Sequence, residues 1–113
     1  LSLKDQITLL QDTLDNLGSI GQMLGELQVA YLDRDLKRLQ EISEASMRAG
    51  DPQLAETFNR TIVLERNHRM AERMQSRLRE GQQFIAVGAL HLAGEQGLLR
   101  LLSERGYRLS RIY

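Results

Sequence analysis

Cysteine and tryptophan are both absent from the 113-residue sequence, and Pro52 is the only proline. Without thiols there is no disulfide framework and no thiolate metal site, so a bound zinc would have to rely on imidazole and carboxylate ligands. Excess charge is missing too, because fifteen basic residues face fifteen acidic ones. Proteins that hold nucleic acid by bulk electrostatics carry a basic excess on one face, so nucleic acid is not expected as a partner. Apolar runs are short. Phe84-Ile85-Ala86-Val87 falls far below the roughly 20 residues that span a bilayer, so no membrane span is expected in this segment. The length supports one domain or part of one. A first residue of Leu1 reads as a fragment of a longer parent.

What remains, rich in leucine and poor in aromatics, favours helices. Leu3, Ile7, Leu10, Leu14 and Leu17 recur at three and four residues, the stripe of an amphipathic helix near 3–17, and Gly18 ends it. A second helical stretch near 22–48 carries Leu24, Leu27, Tyr31 and Leu32. Its stripe loses register at Asp33-Arg34-Asp35, where an acidic residue can cap a new turn bearing Leu36, Leu39 and Ile42, so a kink or short break is expected there. Gly50-Asp51-Pro52 combines a terminating glycine, an N-cap and a proline at the first helical position, which opens a third helix near 52–80. Residues 1–82 are thus read as a helical region.

From Gln83 the period changes. The Phe84–Val87 run has β-branched content and glycines around it, which predicts a strand buried on both faces. Gly88, Gly94 and Gly97 punctuate the following turn, a helix is expected from about Gly94 to Glu104, and Tyr107 to Ser110 alternates as a half-covered strand. Residues 83–113 therefore predict a β-α-β unit with parallel strands and a right-handed crossover. The expected fold class is α/β, mostly helical, with a small parallel sheet that forms an incomplete half of a larger α/β domain. Two strands leave open edges, so further strands are expected from the rest of the parent or from a second copy in a homodimer.

Two groups of residues could carry chemistry. His91 follows the predicted strand at its carboxyl end, where open α/β sheets place ligands, and a neutral imidazole can ligate a metal or act as acid or base. Glu95 stands four residues on as a second metal ligand or an orienting carboxylate, although a glutamate in a first helical turn also suits the helix dipole. The second group is LERNHRMAERM, residues 64–74. A helical projection puts Asn67 in the centre of an apolar stripe of Val63, Leu64, Met70, Ala71, Met74 and Leu78. A core-facing amide must find partners, and backbone at a loop or strand end is the expected one. Arg66 and His68 fall at the edges of the stripe. Arg66 could reach a carboxylate in a crevice, and His68 reads as a solvated residue. No phosphate loop, HExxH or nucleophile elbow occurs.

Taken together, ERN on a long helix, then GALHLAGEQGLL and a terminal RGYRLSRIY, resemble the C-terminal half of the TraB/GumN family, bacterial relatives of the Tiki proteins. YLDRDLKRL and GDPQLAETF are similar to its helical middle section. The resemblance implies a domain with two GxxH motifs meeting an acidic residue in a divalent metal site of zinc, manganese or cobalt, and Tiki members are described as metal-dependent proteases. Gly88 to His91 matches the second GxxH, and Arg66 and Asn67 match the family's RN pair; no other Gly-x-x-His occurs here. The expectation is therefore a part of a metal-dependent, peptidase-like hydrolase, with His91, Arg66 and Asn67 as catalytic residues and His91 and Glu95 as metal ligands. The missing N-terminal half would supply the other ligands, so no metal is expected to bind this segment tightly and the segment is expected to be inactive alone. The resemblance also implies a bacterial, extracytoplasmic or membrane-associated parent and a peptide substrate. Its alternative is a non-catalytic module that binds a peptide or protein, as in pheromone sequestration.

Overall fold

The computed structural model describes residues 1–112. Its helices are α1 (Leu3–Asp15), α2 (Leu17–Leu32), α3 (Leu36–Arg48), α4 (Pro52–Phe58), α5 (Glu65–Arg73), α6 (Gln75–Glu80) and α7 (Leu98–Glu104). Local chemistry sets their ends. Ser2 and Asp5 form a reciprocal capping box at the start of α1. Between α2 and α3 the chain breaks at Arg34, which takes a φ of 57°, and the Asp35 carboxylate accepts from Arg38 N at 3.0 Å to restart the helix. Asp51 accepts from Gln53 N and Leu54 N at 2.8 and 3.1 Å, and Pro52 begins α4.

The helix expected over 52–80 is not uniform. Residues Asn59–Leu64 widen into a π-helical segment, with Glu65 N donating to Arg60 O, before α5 resumes the ordinary pitch. Consecutive β-branched side chains at Thr61, Ile62 and Val63 crowd a normal turn at that point. A shallower irregularity at Met74 separates α5 from α6, yet Met74 N still donates to Met70 O and Leu78 N to Met74 O. The two short helices therefore continue one another.

Packing is divided between two small clusters. Ala30, Leu39 and Ile42 join α2 to α3, with Ala89 packed against them. Ala71, Leu98 and Leu101 join α5 to α7, with Val87 and Leu92 packed against them. The segment 87–92 thus touches both clusters. Helix α1 joins neither and buries no residue. Its stripe from Leu3 to Leu17 has the spacing of a core face, but these leucines and Ile7 stand 55–72% exposed. The chain is elongated, with a radius of gyration of 16.1 Å, against about 13 Å for a compact domain of this length.

The expected β-α-β unit and parallel sheet are corrected here, and with them the α/β class. Among the described residues there is no strand, and no backbone hydrogen bond joins 83–88 to 107–112. The fold is all-helical. Both segments are extended, as their composition suggests, but a strand exists only through a ladder with a neighbour. Nor is the first run covered on both faces: Phe84 is 94% exposed while Val87 packs inward. Each segment is instead fastened by side chains to helices or their connections, the second through Tyr107 Oη to Gln75 Oε1 at 3.1 Å and Arg111 Nη2 to Arg34 O at 3.2 Å. Helix α7 also starts later than expected, at Leu98, because Gly94 takes a φ of 86° and the chain turns through Glu95 and Gln96 first.

Candidate functional site

His91 ends a 3₁₀ turn, Ala89–His91, whose backbone closes with His91 N donating to Gly88 O at 3.0 Å. The turn is held from both sides, by Ala89 in one apolar cluster and by Val87 and Leu92 in the other. That anchoring leaves the imidazole half-buried. Gly88 opens this turn. Its φ of −61° suits any residue, and an added Cβ would meet His91 Cδ2 at an ordinary 3.6 Å, so the geometry does not demand glycine.

Asn67, on α5, is 0% exposed, and both polar atoms of its amide have a partner. Nδ2 donates to the Gln96 carbonyl at 2.8 Å, and Oδ1 lies 2.6 Å from His91 Nδ1. The first bond settles the second. A backbone carbonyl can only accept, so the NH₂ end of the amide must face Gln96 and the oxygen must face His91. An amide oxygen can also only accept, so His91 Nδ1 carries the hydrogen. In the neutral ring this leaves Nε2 with its lone pair. An outer partner that orients a histidine and selects its tautomer is how proteins prepare an imidazole for ligation or proton transfer.

The electrostatics act in the same direction. Burial, first, and the positive charge of Arg66, second, hold the His91 pKa below its ordinary 6.5. The ring is therefore neutral at pH 7. Arg66 is exposed on α5, immediately before Asn67. His68, on the same helix and also exposed, meets Gln96 Oε1 through Nε2 at 3.0 Å, so both the side chain and the backbone of Gln96 tie the α7 entry loop to α5.

Glu95 takes no part in this group. Its side chain is 89% exposed and lies 3.9 Å from Arg100 Nε. Among the described residues no three His, Asp or Glu side chains gather as a metal-holding set. His91 Nε2 fits one ligand position of a metal site, and the rest of such a site is not assembled by these residues. One contributor had no signal in the sequence, and another was legible only as a turn glycine. Gln96 acts through its carbonyl, which no residue type advertises. Gly97 is buried, and an added Cβ would collide with the carbonyl oxygens of Leu92 and Ala93, so only glycine lets the loop close below Gln96.

The chain belongs to the TraB/PrgY/gumN family, whose family model matches residues 1–111. No curated protein and no solved structure matches it.

Proposed function

We propose that this family member contributes to a metal-dependent hydrolase of peptidase type. His91 Nε2 serves as a metal ligand or as the acid or base, Asn67 orients the ring, and Arg66 adds to burial in favouring the neutral ring and faces an anionic group of the substrate. One observation supports this most: a fully buried amide, anchored through Nδ2 to a backbone carbonyl, holds His91 in the tautomer that frees Nε2. A catalytic metal generally takes about three protein ligands and keeps an open position. His91 is one, and Glu95 would have to leave Arg100 to become another. The remaining ligands are assigned to residues outside these 113. The test is metal analysis and peptidase assay of the protein made from its complete reading frame. Stoichiometric zinc, manganese or cobalt that His91→Ala removes, together with turnover, supports the reading; equal metal content and activity in the variant refute it.

A second reading, a non-catalytic peptide-binding module, has its own observation. An open groove between α1 and α2 on one side and α3 and α4 on the other is lined by Leu9, Ile20, Met23, Ile42, Leu54 and Phe58. Under that reading, His91→Ala leaves peptide binding unchanged and Met23→Glu abolishes it.

A further inference from the structure

The arginines of this protein differ in whether they have a partner; Arg108, in the extended segment after α7, is exposed and has none among the described residues. Arg38, Arg48, Arg60 and Arg100 each have a carboxylate partner within 4.0 Å. Arg79, Arg105 and Arg111 donate to backbone carbonyls. Arg66, Arg69, Arg73 and Arg77 are all exposed, and among the described residues none of them has a hydrogen bond or ion pair. The i, i+4 order of Glu65 and Arg69 offers a pair, but Glu65 lies 4.0 Å from Arg60 instead.

These four residues form a row. At 100° per residue, Arg66, Arg69, Arg73 and Arg77 fall within about 80° of one another, at the edge of the apolar stripe that Asn67 centres. The near-continuous ladder through Met74 carries the row from α5 into α6. Eleven residues at a 1.5 Å rise make it about 16 Å long. Glu80 closes the row one turn beyond Arg77, and Glu72 lies off to its side. One end adjoins the site, because Arg66 precedes the residue that binds His91.

We propose that this row is a docking track for an acidic peptide, whose carboxylates pair with Arg66, Arg69, Arg73 and Arg77 and whose adjoining bond lies at His91. Charge complementarity selects the partner. Arginine forks match carboxylates in bidentate geometry, and about 16 Å corresponds to roughly five residues of extended peptide. The side chains remain free to rotate onto a ligand because none of them is paired with an internal acid. Nucleic acid fits less well, since it calls for aromatic stacking or a net basic charge. The sequence has three tyrosines, two phenylalanines and no net charge. That the bound peptide is also the substrate rests on the hydrolase reading. The docking itself does not.

The experiment is fluorescence anisotropy with a labelled peptide carrying glutamate at alternate positions, measured without metal. Salt-sensitive binding is expected. Each single Arg→Gln substitution at 69, 73 or 77 should weaken it about two- to fivefold, and the quadruple variant should lose it. Arg48→Gln, which removes an arginine already paired on α3, should leave affinity unchanged. The metal analysis is a separate measurement, so an absent metal with intact docking sinks only the hydrolase reading. Equal binding by the quadruple variant, no binding by the wild type, or tighter binding of a single-stranded oligonucleotide of equal charge would overturn the track. Thermal melts of the glutamine variants within a few degrees of wild type establish that folding is preserved.

Discussion

Replacing Asn67 with leucine tests the local geometry on which the functional reading rests. The substitution keeps a side chain of similar reach at a site with 0% exposure, but removes the amide's bonds to the Gln96 carbonyl and to His91 Nδ1. Each net hydrogen bond is worth about 1 kcal/mol, with more lost wherever a partner stays dry. Gln96 is exposed and regains water; His91 is half-buried and regains it incompletely. Leucine finds no new surface to bury there, because the position is already closed. The expected loss is about 2 kcal/mol. For a domain of this size that lowers Tm by about 8 °C. Circular-dichroism melts and urea titrations read the stability, and long-range nitrogen–proton NMR reads the His91 tautomer. Wild type should show the hydrogen on Nδ1, and the variant should lose that preference. A leucine variant at least as stable as wild type, with the same tautomer, would refute the claim that this amide sets the state of the ring.

Arg66→Gln should raise the His91 pKa toward 6.5, since one of the two causes of its depression is removed; NMR titration of the ring measures it. Because the folded imidazole holds its proton less tightly than the unfolded one, His91 contributes stability that is fully present above 6.5 and is lost as pH falls through the folded pKa. His91→Gln should therefore narrow the difference in urea midpoint between about pH 7.5 and about pH 5.5. Gly97→Ala should destabilise by more than about 2 kcal/mol, because the obstacle is backbone, whereas Gly25→Ala, in open space within α2, should stabilise by about 0.5 to 1 kcal/mol; chemical denaturation decides both. Asp51→Ala removes a cap holding two amides of α4 and should cost about 1 kcal/mol in the same assay.

Part of the helical punctuation was legible because its causes are local. Asp35 and Asp51 act on amides two or three residues away and Pro52 acts on its own dihedral, whereas Gly18, expected to end the first helix, lies inside α2, and α1 ends earlier, at Asp15. The centring of Asn67 on an apolar face was legible for the same reason, as a consequence of helical period. His91 and Asn67 could each be singled out, but their contact spans 24 positions, and the contact with Gln96 that orients the amide spans 29.

The sequence by itself determined the helix restarts at Asp35 and Asp51-Pro52 and which residue types could do chemistry, since these depend on neighbours within a turn. Tertiary structure alone decided that Phe84–Val87 and Tyr107–Ser110 do not pair, that the stripe of α1 faces solvent, and that the arginines in the row along α5 and α6 keep no partner. Extended conformation is a property of a segment, whereas a sheet is a set of hydrogen bonds to a distant one. The same distinction separates a charged residue from a free charge, because pairing depends on what the rest of the chain brings alongside.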